Sequence, residues 1–66
     1  MIISDFTQPE LDYLWDNCNF AGYEKVVFDL RSEGESLEAI AEHLDLSVES
    51  VKKISRKVNK KIEKVL

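Results

Sequence analysis

Two amphipathic patterns separated by a short break constrain the fold of this chain more than any other feature. Between residues 37 and 58, apolar residues recur at helical spacing, at Leu37, Ile40, Leu44, Leu46, Val51, Ile54 and Val58. Ser47 interrupts the pattern, and its hydroxyl can accept from the free amides that open a helix. Ala41 is small enough for a helix crossing, and Asp45 tolerates a left-handed turn backbone. The stretch predicts a helix-turn-helix.

The second of these helices has one apolar and one basic side. At about 100° per residue, one stripe contains Val48, Val51, Ile54, Val58, Ile62 and Val65. The opposite side contains Lys53, Arg56, Lys57, Lys60 and Lys64, with Lys52 and Lys61 at its flanks. A cationic helix suits the major groove of a nucleic acid, because phosphates supply affinity and base edges carry the sequence.

Charge is segregated along the 66 residues, whose formal net charge is −4. Residues 1–46 carry two basic and eleven acidic side chains, whereas residues 47–66 carry seven basic and two acidic ones. We therefore expect a dipolar domain that turns its basic end to DNA. The acidic half should weaken non-specific DNA binding, or serve as a surface for a basic partner.

Size and cysteine content restrict the class of protein. A chain of 66 residues suits one domain, over 1–66, near the lower limit for a core without disulfides or metal. The single cysteine, Cys18, cannot form an intramolecular disulfide and fits a reducing compartment. No apolar run is long enough to span a bilayer, and residues 1–3 are too short for a signal peptide. We expect a cytoplasmic protein.

The N-terminal part of the chain predicts one helix after a short lead-in. Thr7 and Glu10 have capping-box spacing, and Pro9 fits the first turn of a helix. The first helix should cover about residues 8–17. Residues 1–5 should form a partly frayed lead-in.

The remaining pattern completes an all-α domain of four helices. A second helix is expected over about residues 22–33, with an apolar face of Tyr23, Val26, Val27 and Leu30. Gly34 should stop it, and Ser36 should cap the third helix. The fourth should run from about Val48 to the end of the chain and fray after Ile62.

From Tyr23 onward, several short motifs follow one another in a fixed order. An apolar helix ends near Gly34 and is followed by Ser36. Three motifs come next, Ile-Ala at 40–41, Leu-x-Leu-Ser at 44–47 and Val-Lys at 51–52. This order, over about two-thirds of the chain, resembles the DNA-binding modules of LuxR-type regulators and of region four of bacterial sigma factors. Ala39 departs from that pattern, which usually has an acidic residue there, so the third helix should start less firmly.

The resemblance implies that the fourth helix is a recognition helix. By this resemblance, the residues that lie near bases or phosphates are Val48, Glu49, Lys52, Lys53 and Arg56, with Ser50 and Lys57 nearby. We expect base contacts from Glu49, Ser50, Lys53 and Arg56, and phosphate contacts from Lys52, Lys57 and Lys60. Ser47 should cap the helix, whose amides would face a phosphate. We expect no sensing domain before it, and on that expectation the module is similar to small free-standing regulators of spores, phages and mobile elements.

Other functions of the basic helix stay open. A sigma-like domain can instead dock on RNA polymerase or another regulator, and the acidic half offers a surface for that. RNA binding is a third possibility, although no aromatic platform supports it.

The chain has no set of side chains typical of an active site. His43 is the single histidine, and a metal site would need further ligands. Acidic residues such as Asp12, Asp16 and Glu42 are not accompanied by a nucleophile or a glycine-rich loop. We therefore expect neither catalysis nor a cofactor.

For two sets of apolar residues, the sequence allows either packing in the core or contact with a ligand or a second copy. The aromatic residues of the acidic half are expected in the core rather than stacked on bases, namely Trp15, Phe20, Tyr23 and Phe28. Cys18 should be buried with them and inert. The C-terminal residues either pack against the first helix or form a homodimer contact that sets half-site spacing, namely Val58, Ile62, Val65 and Leu66.

Overall fold

A computed structural model describes residues 3–66, which form a short 3-10 helix and four α-helices. The α-helices are α1 (Gln8–Asn17), α2 (Tyr23–Ser32), α3 (Leu37–Leu44) and α4 (Val48–Val65). No strand occurs within residues 3–66. The predicted all-α class and the number of helices are confirmed, and the helix bounds lie close to the expected ones.

The start of α1 is fixed by a reciprocal pair of hydrogen bonds. The Thr7 hydroxyl accepts from the Glu10 amide at 3.4 Å, and the Glu10 carboxylate accepts from the Thr7 amide at 2.8 Å. Pro9 lies in the first turn. The capping box expected from the sequence is therefore formed.

The lead-in before α1 is more ordered than its sequence suggests. Residues Ile3–Asp5 form the 3-10 helix, which packs against α2. Ile3 is only 3% exposed and belongs to the core. The expected fraying is wrong for residues 3–5, because burial of the Ile3 side chain holds them in place. The same expectation also covered Met1 and Ile2, which lie outside the residues that the structure describes.

The turn between α3 and α4 is closed by a left-handed aspartate. Asp45 has φ of +58°, and the Leu46 amide donates to the Ala41 carbonyl at 2.9 Å. This six-to-one hydrogen bond is typical of a Schellman motif. Ser36 caps the other end of α3 by accepting from the Ala39 amide at 3.1 Å. The expected cap forms despite the missing acidic partner, and the left-handed backbone at Asp45 is confirmed.

We expect Asp45→Ala to destabilise the fold and Asp45→Gly to leave it as stable as the wild type. A left-handed backbone costs most residues with a Cβ, alanine included, roughly 1–2 kcal/mol. Aspartate tolerates it better, because its short polar side chain can interact with the local backbone, and glycine adopts it freely. Urea unfolding should therefore show Asp45→Ala less stable than Asp45→Gly by about 1 kcal/mol. Asp16→Ala, at an exposed position in the last turn of α1, is the matched control and should cause no such loss. An equal loss at both aspartates would contradict the explanation.

The core lies where α4 crosses the other helices. Its fully buried side chains are Leu14, Val27, Ile40, Val51, Val58 and Ile62. Ala41 is 3% exposed, and α3 packs closely on α4 at this side. α4 continues past Ile62 to Val65, one residue from the expected end, and Val65 packs partly buried against the core.

The buried face of α2 is rotated from the one expected. Tyr23 is 52% exposed and Val26 37% exposed, whereas Phe28 is buried. Phe28 packs on the Phe20 ring with centroids 4.7 Å apart, which draws this side of α2 inward. Glu24 then lies on the partly buried flank, where its pairing with α4 (below) compensates for the loss of water.

Core packing of the aromatic residues is confirmed for two of the four. Phe20 and Phe28 are 5% and 3% exposed, whereas Trp15 is 45% exposed. Tyr23 is also exposed, so the expectation of core packing is wrong for Trp15 and Tyr23. Cys18 is buried as expected, at 5% exposure, and burial raises the pKa of its thiol, with Lys61 partly opposing the rise.

Candidate nucleic-acid interface

α4 begins at a capped serine directly after the turn. The Ser47 hydroxyl accepts from the Ser50 amide at 3.2 Å, and the two side-chain oxygens are 2.9 Å apart. Ser47 has an extended backbone, so the chain turns into the helix at this residue. The expected cap is confirmed, and it fixes the residue at which α4 begins.

The helix has one buried and one exposed side. Val51, Val58 and Ile62 have no exposed surface. Six cations are exposed, and we call them the basic face: Lys52, Lys53, Arg56, Lys57, Lys60 and Lys64. At 100° per residue they lie within an arc of roughly 140°, centred opposite Val51.

Like charges are neighbours within the basic face. Lys52, Arg56, Lys60 and Lys64 follow one another at four-residue spacing. Each like-charge pair at this spacing destabilises a helix by about 0.2–0.5 kcal/mol. No member of the basic face forms an ion pair with another described residue. An anionic partner would relieve this repulsion.

Lys61 differs from the rest of the cations on α4. Its ammonium donates to the Asn19 carbonyl at 3.3 Å and pairs with the Glu24 carboxylate. The Lys61 side chain is 35% exposed and that of Glu24 only 14%. Lys61 therefore ties α4 to the loop before α2 and to the first turn of α2, so its ammonium is already engaged within the protein.

Glu24 should make stability depend on pH. The hydrogen bond from Lys61, followed by the one from the Ala21 amide, holds the pKa of Glu24 below its ordinary value of 4.5. Folding therefore favours the ionised carboxylate. Its contribution is complete above pH 4.5 and is lost as pH falls through the lowered pKa.

We expect Glu24→Gln to remove this acid dependence and to cost about 1 kcal/mol or less near neutral pH. Thermal melting followed by circular dichroism, at a series of pH values on both sides of the ordinary pKa, measures the effect. Glu42→Gln is the matched control, because Glu42 is an exposed carboxylate on α3, and it should keep the wild-type profile. Identical profiles for Glu24→Gln and the wild type would show that the Lys61–Glu24 pairing contributes nothing to the pH dependence of stability.

The residues expected to contact DNA fall into two groups. Six are exposed along α4, namely Glu49, Lys52, Lys53, Arg56, Lys57 and Lys60. The other three lie at the start of the helix: Ser47 is exposed, Ser50 half-buried, and Val48 packs partly against the core. Lys64 was not among the expected contacts, although its helical phase places it on the basic face.

Of the two alternatives for the C-terminal residues, a homodimer contact cannot involve all four of them. Val58 and Ile62 have no exposed surface, because they fill the core where α1 and α2 meet α4. Val65 is half-buried, and Leu66 is 73% exposed. The alternative of packing inside the domain is therefore correct for Val58 and Ile62.

Two further observations concern membranes and metals. No helix within residues 3–66 is both long and apolar enough to cross a bilayer. In the same range, no three side chains of the metal-binding types lie close enough to hold an ion together. His43 is exposed at the last turn of α3.

Comparison of the chain with protein-family models, with curated proteins and with solved structures gave no match.

Proposed function

We propose that this protein binds double-stranded DNA through α4, as a sequence-specific transcriptional regulator of the LuxR-type or sigma region-four kind. In this proposal α3 and α4 form a helix-turn-helix, and α4 is its recognition helix. The observation that carries the proposal is the basic face, whose six cations are exposed opposite a fully buried apolar stripe. The protein acts by binding and has no catalytic role.

The dimensions of α4 suit the major groove. Its 18 residues extend about 27 Å, and the groove is about 12 Å wide, which admits one helix. Lys53 and Arg56 lie one turn apart near the middle of the basic face and would read base edges. Lys52, Lys57 and Lys60 lie around them and would hold phosphates on both strands.

Salt dependence follows from the number of phosphates contacted. Each neutralised phosphate contributes about −0.9 to the slope of log K against log salt concentration. Contacts from Lys52, Lys57 and Lys60 alone therefore correspond to a slope of about −3. The acidic half, with eleven carboxylates in residues 1–46, repels DNA that approaches in other orientations and so favours binding by α4.

Selection from random double-stranded oligonucleotides by the purified protein is the decisive experiment. We expect an enriched motif, and a palindromic one would indicate that two copies bind together. A scrambled version of the enriched motif is the control for sequence specificity. Failure to enrich any motif, together with no electrophoretic shift at low salt, would refute the proposal.

A second candidate function is docking on RNA polymerase or another regulator. The segregated acidic charge of residues 1–46 favours it, because such a surface suits a basic protein. Co-purification with polymerase that survives neutralisation of Lys53, Arg56 and Lys57 would favour this candidate. Loss of co-purification in the same variant, with DNA binding also lost, would favour DNA binding.

A further inference from the structure

A groove between α1 and α2 lies apart from α4. It has a volume of about 400 Å³. We call it the acidic groove, and its characteristic side chains are Asp12, Trp15, Phe28, Asp29 and Glu33. None of its lining residues belongs to α3 or α4, so the acidic groove and the basic face can be occupied at the same time.

Trp15 forms the aromatic part of the acidic groove. Its ring centroid is 6.1 Å from that of Phe28, which is itself buried. The indole is thus supported from the core side while 45% of the residue stays exposed. A large aromatic side chain that is held in place yet accessible is typical of a binding surface, since its burial by a partner would gain free energy.

The charge of the acidic groove is not compensated locally. Asp12, Asp29 and Glu33 are exposed carboxylates, and no lysine or arginine lines the groove. The Gln8 side-chain Nε2 donates to the Asp12 carboxylate at 2.9 Å, which orients this carboxylate without neutralising it. A ligand for the groove must therefore be cationic, and it must also have a surface that can stack on an indole.

We propose that the acidic groove docks a basic, arginine-bearing segment of a partner protein, with a guanidinium stacked on Trp15 and paired with the surrounding carboxylates. Arginine fits both demands, because its guanidinium is planar, weakly hydrated and able to bind carboxylates with two parallel hydrogen bonds. Lysine meets the charge requirement but stacks less well. Nucleic acids and anionic lipid surfaces are disfavoured, because their phosphates would meet three carboxylates.

The test uses Trp15 as its reporter, because it is the single tryptophan in the chain. The probe is a short capped peptide with four arginines separated by serine and alanine, and a lysine version of the same peptide is the comparison. At low salt, the arginine peptide should shift the indole emission in a saturable way. It should likewise shift the backbone amide resonance of Ser32, which also lines the acidic groove. We expect it to bind at least about twofold more tightly than the lysine peptide, from the weaker stacking of lysine.

Two variants should weaken this binding. Trp15→Ala should reduce affinity about two- to fivefold, as measured by the Ser32 resonance. Asp12→Asn combined with Asp29→Asn keeps the indole and should weaken binding by a similar factor. The matched control is Glu38→Gln with Glu42→Gln, which removes the same charge from exposed positions on α3, and it should bind almost as the wild type does.

Several results would overturn the proposal. Absence of saturable binding would show that the acidic groove is not a binding site. Equal weakening by the α3 control would show that net charge alone attracts the peptide. Equal affinity for the lysine peptide would refute arginine stacking. A change of Trp15 emission when the protein alone is concentrated would identify a second copy of the chain as the occupant. None of these measurements involves DNA, so their outcome is independent of the proposed function of α4.

Discussion

Replacing Lys53 and Arg56 together by glutamate should weaken DNA binding by at least about thirtyfold at low salt. Each substitution removes a cation from the centre of the basic face and places a carboxylate against the duplex. A lost base contact of this kind costs about 1–3 kcal/mol, and the two losses should largely add. Fluorescence anisotropy with the duplex selected by the wild type measures the change.

Lys25→Glu is the matched control for each single variant, because it makes the same charge change at an exposed position on α2. It should change affinity far less than Lys53→Glu or Arg56→Glu. Circular dichroism should show all of these variants folded, since the exchanged side chains are exposed. If Lys25→Glu weakened binding as much as Arg56→Glu, overall charge rather than α4 would be responsible.

Leu14→Ala should unfold a large fraction of the protein. Leu14 is 1% exposed in the core, and truncation of a buried leucine costs about 2–5 kcal/mol, including the cavity left behind. A domain below about 70–80 residues rarely has more than about 3–5 kcal/mol of stability from its core. Leu14→Ala should therefore remove most of the free energy of unfolding, as measured by urea unfolding.

Leu66→Ala makes the same chemical change at a residue that is 73% exposed. It should alter the free energy of unfolding by less than about 0.5 kcal/mol. Comparable losses in the two variants would mean that Leu66 is covered in solution, for example by a second copy of the chain.

Features set by local hydrogen bonds could be predicted from the sequence. The caps at Thr7, Ser36 and Ser47 each join residues three apart in the chain, and the left-handed turn at Asp45 depends on its immediate neighbours. The two-sided character of α4 likewise follows from periodicity within one helix. Such signals need no knowledge of how helices pack.

Features set by packing between helices could not be predicted in the same way. The rotation of α2 depends on Phe28 meeting Phe20, and the exposure of Trp15 depends on where α2 lies beside α1. The Lys61–Glu24 pair joins residues 37 positions apart. Helical periodicity places Lys61 at the flank of the basic side, but it does not identify a partner on another helix, so the pairing with Glu24 could not be predicted from the sequence.

Because α4 supplies both central core side chains and the whole basic face, ligand binding and folding should be thermodynamically linked. A duplex present at one hundred times its dissociation constant would add about 2.7 kcal/mol to stability. That gain is comparable to the entire stability expected for so small a domain. Unbound copies would then unfold and be degraded more often than bound ones, so occupancy of the target would itself regulate how long each molecule survives in the cell.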